Sequence, residues 1–187
     1  MTKISSYAAV TPTGTDLLIG TDTSASDATK NFTIDSIGQY LGSSQVLTQY
    51  ANYFDFSSGL TTSFASSNTF YPLVCTTTEG FSSSNMTVEN NKITYTGTQS
   101  LVLKIEGIAA VSGGNNNEIH FAFYKNGSLV PCSEQDVVLS SAGKGSSCAF
   151  QCMQQFSTND YVQVYVKNVS GTTSITLDNV NVIVSQV

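Results

Sequence analysis

The chain has 187 residues, only 11% of them charged, and a net charge of -6 at pH 7. All seven basic residues are scattered lysines, so the clustered cationic surface of a nucleic-acid-binding protein is missing and no nucleic-acid partner is expected. The same pattern disfavours an anionic membrane surface, and no run approaches the roughly 18 apolar residues of a membrane span, so no membrane insertion is expected.

Residues 1–41 form a short first unit with signals for regular structure. TDLLIGTD predicts an apolar strand, TSASDATK a polar turn region, and TIDSIGQYL a brief helix with Thr33 or Asp35 as N-cap. About forty residues with so few large apolar side chains cannot build a core of their own, so we expect this unit to be ordered against another protein. The expected contact residues, from the strand and from one stripe of the helix, are Leu17, Leu18, Ile19, Ile34, Ile37 and Leu41.

Residues 42–68 differ from both flanks. They are rich in Ser, Thr, Gly and Asn, and they show neither a helical nor a strand period. A flexible tether of this length has a root-mean-square reach of about 30 Å. Several aromatic side chains indicate that part of this linker docks on something, and they are Tyr50, Tyr53, Phe54, Phe56 and Phe64.

The body of the chain, residues 69–187, consists of short apolar or alternating runs that predict strands. Asn90-Asn91 and Asn126-Gly127 predict two-residue hairpin turns. The expected cross-strand pairs are Glu89–Lys92, Val88–Ile93, Met86–Tyr95, Tyr124–Leu129 and Phe123–Val130. Further strands are predicted at 70–76, 101–111, 137–140, 148–156, 173–177 and 180–184. A total of about eight to ten strands is typical of a β-sandwich or jelly roll.

Two predicted strands carry apolar side chains on both faces. In IHFAFYK, the residues between the inward-facing ones include a histidine and a tyrosine, and YVQVYVK places tyrosines opposite its valines. A two-sheet sandwich covers only one face of each sheet, so the aromatic second face requires another partner, most simply a neighbouring subunit. The candidates for this subunit interface are His120, Tyr124, Tyr161 and Tyr165.

Two parts of the chain resemble known families. KISSY, TGTDLLIGTD and TKNFTIDSIGQYL resemble a leader of tailed-phage structural proteins, in which a Thr-Asp-Leu-Leu strand precedes a Thr-Lys strand and a short helix. KITYTG, YKNGSLV, FSTNDYVQVYV and VNVIVSQV resemble the trimeric jelly-roll heads of the tumour necrosis factor and complement-head type, although Asn159-Asp160 stands where those proteins often have Gly-Asp.

The resemblance implies a bacteriophage structural protein made in the host cytoplasm and carried on the virion exterior. Residues 1–41 would anchor a homotrimer to other virion proteins of the capsid or tail, and residues 69–187 would form the head. We expect a fibre-like or receptor-contacting appendage active in host attachment, with host-surface carbohydrate as a partner suited to its hydroxyl-, amide- and aromatic-rich exterior. A capsid decoration protein of the same architecture is the alternative.

Catalytic signals are sparse. His120 lies between two apolar residues of a predicted strand, which favours a packed or interface histidine. No nucleophile elbow, phosphate loop or HExxH motif is present, whereas Glu106 and Asp160 leave a glycosidase pair open. We therefore expect a non-enzymatic protein with no cofactor and no metal.

The four cysteines bear on a second alternative. Cys75, Cys132, Cys148 and Cys152 show no metal-ligand spacing, and we expect free buried thiols. A secreted cytokine-like or lectin-like module would instead predict a disulfide between two of them and glycans at Asn85 or Asn168.

Overall fold

The computed structural model describes residues 17–22, 28–33, 48–56, 59–140 and 145–187. The chain divides into two compact units, Met1–Leu47 and Thr48–Val187. Within the described ranges the regular structure is almost entirely antiparallel β. None of the helices in these ranges has the length and apolar character that a membrane crossing requires.

The first unit contains a two-stranded antiparallel sheet. Strand β1 (Leu17–Asp22) pairs with β2 (Ala28–Thr33), with Leu18 opposite Phe32. The Leu-Leu strand and the Thr-Lys strand are thereby confirmed, and β2 begins inside the stretch expected to be a polar turn. The predicted helix lies outside the described residues after Thr33, and with it lie the expected contacts Ile34, Ile37 and Leu41.

The second unit is a sandwich of two antiparallel sheets, and a 3₁₀ turn at Pro131–Ser133 lies between β11 and β12. Its strands are β3 (Tyr50–Asp55), β4 (Thr61–Thr62), β5 (Tyr71–Pro72), β6 (Thr78–Ser82), β7 (Met86–Glu89), β8 (Lys92–Tyr95), β9 (Leu101–Ser112), β10 (Glu118–Lys125), β11 (Ser128–Leu129), β12 (Gln135–Val138), β13 (Ser146–Phe156), β14 (Tyr161–Asn168) and β15 (Ile175–Gln186). The six-stranded sheet has the order β13-β9-β15-β3-β6, and β4 pairs with β15. The seven-stranded sheet has the order β11-β10-β14-β8-β7, with β12 on β10 and β5 on β14.

Both predicted hairpins are confirmed. Asn90, Asn91, Asn126 and Gly127 have φ values of 51°, 61°, 50° and 77°, the left-handed conformation that a type I′ turn requires. The confirmed cross-strand pairs are Met86–Tyr95, Val88–Ile93, Glu89–Lys92 and Tyr124–Leu129. Val130 also donates its N–H to the carbonyl of Phe123, as the predicted register requires.

Other predicted strands are confirmed with changed bounds. The predicted strands at 173–177 and 180–184 join into β15, because a bulge between Leu177 and Asn179 keeps the chain in the sheet. The strand predicted over 70–76 is reduced to Tyr71–Pro72, and Leu73 after it donates its N–H to the carbonyl of Val164.

The sandwich starts earlier than the sequence suggests. Strand β3 lies between β15 and β6, and Thr61–Thr62 also pairs with β15. The stretch 42–68, interpreted from sequence as a linker, therefore contributes to the sandwich from Thr48 onward. Residues 42–47 lie outside the described residues.

A polar residue hides the period of β3. Its inward positions are Ala51, Tyr53 and Asp55, and all three are buried. An aspartate at an inward position breaks the apolar alternation by which a strand is recognised. The structure accommodates it because Asp55 Oδ2 accepts a hydrogen bond of 2.6 Å from the N–H of Thr76.

The core between the sheets contains a three-ring phenylalanine cluster. Phe121 and Phe123 of β10 meet Phe150 of β13, with ring centroids 5.7 and 4.8 Å apart. Gly107 of β9 makes room for them, since a Cβ atom at this position would lie 2.7 Å from the Phe150 ring. Burial of each ring stabilises the fold by about 1.5–3 kcal/mol.

Candidate functional site

The four predicted interface residues lie together on the outer face of the seven-stranded sheet. His120 and Tyr124 occupy alternate positions of β10, and Tyr161 and Tyr165 occupy positions of β14 with the same orientation. The register places Tyr165 opposite Ala122. We call the surface of His120, Tyr124, Tyr161 and Tyr165, together with neighbouring Phe70, the aromatic face.

The rings of the aromatic face already pack against one another. Tyr124 and Tyr165 are stacked with ring centroids 3.9 Å apart, and the Phe70 ring meets Tyr124 at 5.5 Å. Ala122 beneath them is completely buried. Burial raises the pKa of both tyrosine hydroxyls above the usual value, because the phenolate is poorly solvated there. These residues are half-buried within one chain, and their role as a subunit interface stays a prediction.

A network of charges borders the aromatic face. His120 Nδ1 lies 2.7 Å from Glu134 Oε1, and His120 Nε2 lies 2.8 Å from Glu118 Oε1. Lys167 Nζ is 2.9 Å from the same Glu134 oxygen and lies 4.7 Å from the centroid of Phe70. The hydrogen bond from Lys167 is the main cause of a lowered Glu134 pKa, and His120 acts in the same direction. His120 is thus a half-buried residue within hydrogen-bonding distance of both carboxylates.

A second network of charged and polar side chains lies at the Tyr161 end of the same sheet. Lys125 Nζ is 2.7 Å from Asp160 Oδ2, and Asn126 donates to Asp160 Oδ1 at 2.6 Å. Desolvation opposes ionisation of Asp160, but hydrogen bonds from Lys125, the Ser157 N–H and Asn126 outweigh it and lower its pKa. Lys92 Nζ covers the Tyr161 ring at 4.4 Å.

The outer face of the six-stranded sheet differs from the aromatic face, because its large apolar side chains are exposed. Alternation directs Leu103 and Ile105 inward, so the even-numbered residues of β9 face outward, and the register aligns them with outward residues of β13, β15 and β3. Five of these outward side chains are large, apolar and 42–57% exposed, and they define what we call the apolar face: Tyr50, Val102, Ile108, Met153 and Ile183. Sequence reasoning missed this face because its members come from four strands far apart in the chain.

The carboxylate pair left open by the sequence is divided between the sheets. Glu106 lies on β9 of the six-stranded sheet and pairs with Lys104 at 2.8 Å. Asp160 immediately precedes β14 of the seven-stranded sheet and pairs with Lys125. Each carboxylate therefore has a lysine partner of its own, and these ion pairs give both carboxylates a structural role.

All four cysteines lie in the described ranges, and each is a free thiol. Cys148 and Cys152 are buried, as the sequence predicts, and Cys75 is partly buried. The expectation of buried thiols is wrong for Cys132, which is exposed because it belongs to the short turn at Pro131–Ser133 outside the sheets.

No protein-family model and no curated protein sequence matches the chain. Among solved structures, murine APRIL at pH 5.0 is 6% identical with a TM-score of 0.53, and the match covers 75% of this chain and 99% of that one. Eiger TNF from S. frugiperda is 11% identical with a TM-score of 0.50, over 75% of this chain and 92% of that one. PRD1 vertex protein P5 is 12% identical with a TM-score of 0.47, over 74% and 96% of the two chains. At these identities the likeness defines the fold alone: residues 48–187 form a jelly-roll β-sandwich of the tumour necrosis factor type.

Proposed function

We propose that the chain is a non-enzymatic structural protein of a tailed-phage virion, anchored by residues 1–41 and displaying residues 48–187 outward as a homotrimeric head. The head is a fibre-like or receptor-contacting appendage. The observation that carries the proposal is the division of the chain into a small N-terminal unit with a β1–β2 hairpin and a jelly-roll sandwich with one exposed apolar face. The likeness of the N-terminal sequence to phage leaders supplies the virion context.

The apolar face supports self-association of the head. Its five large side chains would lie in water on a single chain, interspersed with the Lys104–Glu106 ion pair, and exposed apolar side chains that share one face mark an interaction site. In a homotrimer the same surface of each protomer turns toward a shared axis, so one patch is buried three times. This differs from the sequence-based expectation that the tyrosine-bearing face forms the subunit contact.

The aromatic face is then the outward surface. Its partly exposed tyrosines and paired charges combine an apolar ring surface and a hydroxyl with fixed polar groups, and these side-chain types suit a carbohydrate ring. Host-surface carbohydrate is accordingly the partner class that we assign to it. Three heads on three anchors also multiply weak contacts at either end by effective concentration.

Deletion of the N-terminal segment tests the anchor. A chain lacking residues 1–41 is expected to remain trimeric in sedimentation and to be absent from purified virions. Within the full chain, Leu18→Ser is the sharper variant and Thr21→Ser in the same strand is its matched control. Normal incorporation of the deletion would show that the wrong end of the chain has been assigned as the anchor.

Labelled particles test the place of the head. Signal at the tail tip or fibre supports the appendage, whereas signal spread over the capsid shell supports the decoration protein of the same architecture. Either image is compatible with the anchor experiment, so the two tests are independent.

The structure bears on the secreted alternative at one of its two proposed glycan sites. Asn168 is 0% exposed, and its side-chain amide donates to the carbonyl of Thr173 at 3.0 Å, so a glycan there is incompatible with the fold. Asn85 is partly exposed. The intact mass of the natural protein decides: an unmodified polypeptide mass contradicts the secreted module, and added hexose mass contradicts the phage proposal.

A further inference from the structure

Two of the thiols meet at one edge of the sandwich. Cys132 lies in the 3₁₀ turn that follows the seven-stranded sheet's β11, and Cys152 lies on β13, the edge strand of the six-stranded sheet. The two thiols are close enough for Cys132 to affect the pKa of Cys152. Both line a cavity of about 470 Å³, and its other lining residues are Lys104, Gln151 and Met153.

The two thiols differ in access. Cys132 is exposed, whereas Cys152 is 9% exposed. Burial, with a smaller contribution from Cys132, raises the pKa of Cys152 to about 12. An exposed thiol beside a shielded one is the arrangement of an attacking cysteine and its resolving partner.

The other two cysteines have different surroundings. The Cys148 sulfur contacts the carbonyl oxygens of Asp136 and Ala149 at 3.7 and 3.9 Å. Cys75 lies near the buried Asp55, and burial raises its pKa to about 12. These two residues therefore serve as internal controls for the pair.

We propose that Cys132 and Cys152 are a reversible dithiol–disulfide site that reacts with low-molecular-weight disulfides such as oxidised glutathione. In the first step the Cys132 thiolate attacks one sulfur of the small disulfide, forms a mixed disulfide and releases one small thiolate, which takes up a proton. In the second step Cys152 loses its proton and attacks the Cys132 sulfur. The second small thiolate leaves and is protonated. The protein loses two electrons and two protons, and one small disulfide becomes two thiols.

The product would join the two sheets covalently. Cys132 follows a strand of one sheet, and Cys152 belongs to the other, so the bond closes a loop across the open edge of the sandwich. Cross-linking of this kind restricts the unfolded chain more than the folded one. The oxidised head is therefore expected to unfold at a higher temperature than the reduced head, and reduction is expected to reverse the change.

Mass spectrometry of the full chain tests the site. The reduced protein is incubated with oxidised glutathione at several pH values, and free thiols are then alkylated in denaturant. The expected product has lost about 2 Da and yields one linked peptide containing Cys132 and Cys152, with Cys75 and Cys148 alkylated. The closing step should accelerate as the pH rises, because burial raises the pKa of Cys152 and its thiolate fraction grows with pH.

Three variants separate this proposal from general oxidation. Cys152→Ser should stop at the glutathione adduct on Cys132, Cys132→Ser should not react in the folded state, and Cys75→Ser should behave as the natural chain. Four alkylated cysteines in the natural chain after full incubation would overturn the proposal. So would a disulfide that includes Cys75 or Cys148, and this peptide evidence does not depend on how well the variants fold.

Discussion

The two outer faces of the sandwich differ in how far their large side chains are covered by the chain itself. The aromatic face has the more conspicuous residues, yet Tyr124 and Tyr165 stack on each other and the charges around them are paired. The apolar face has ordinary residues such as Ile108 and Ile183, and they stay in water. What distinguishes the faces is whether the chain supplies its own cover.

The largest expected effect is on association through the apolar face. Ile108→Asp replaces an apolar side chain of this surface by a carboxylate, and burying this charge without a partner in a trimer is strongly unfavourable. We expect the trimer to dissociate at concentrations at least about tenfold above those of the natural protein. Because the dissociation constant of a trimer varies as the square of this concentration, the loss is about 2.7 kcal/mol or more per trimer. Sedimentation equilibrium measures this change.

Val138→Asp is the matched control for that experiment. Val138 is 56% exposed, on β12 of the other sheet, so its replacement should leave the association unchanged. Dissociation caused by Val138→Asp but not by Ile108→Asp would show that the subunit contact is on the seven-stranded sheet and contradict the proposed interface. Natural protein that sediments as one chain would remove the trimer altogether.

A smaller effect is expected on folding from the aromatic face. Tyr165→Ala removes a ring that stacks on Tyr124 and covers Ala122, so the free energy of unfolding should fall by about 1–3 kcal/mol with the trimer retained. Tyr165→Phe keeps the stack and should lose far less. Chemical denaturation gives both values. A Tyr165→Ala protein that folds normally but is monomeric would instead support the sequence-based prediction that the aromatic face is the subunit interface.

The smallest effect is the pH dependence of the networks around the aromatic face. Glu134 and Asp160 have pKa values below their ordinary 4.5 and 3.8, so the folded state binds fewer protons than the unfolded state in this range. Their stabilisation is fully present above the ordinary values and is lost as the pH falls through the lowered ones. Unfolding free energy should therefore decline below about pH 4.5, and Glu134→Gln should flatten the decline. An unchanged slope in that variant would mean that the Lys167 pair does not stabilise the fold.

Local chemistry made several elements predictable from sequence. Asn90-Asn91 and Asn126-Gly127 tolerate positive φ, which fixes both hairpins and their registers. The apolar runs at 101–111 and 148–156 likewise predicted β9 and β13. Strand β3 escaped prediction because Asp55 occupies an inward position, where it accepts a hydrogen bond from Thr76 in a distant loop.

The candidate surfaces were predictable only in part. The sequence identified His120, Tyr124, Tyr161 and Tyr165 as one face because they alternate with core residues on two strands. It could not show that Phe70 and Glu134 complete this face, since these two residues reach it from the connections between strands. Lys167 lies on β14 itself, opposite His120. The anchoring role of residues 1–41 stays a proposal supported by resemblance.

By itself the sequence determined the all-β class, the two hairpins, and the alternation that divides β10 and β14 into inward and outward residues, because turn conformation and strand period are properties of neighbouring residues. Only the tertiary structure decided where the sandwich begins, which outer face is covered and which thiols meet. Those outcomes depend on strand order and register between distant segments, so β9, β15 and β3 form one surface although long stretches of chain separate them.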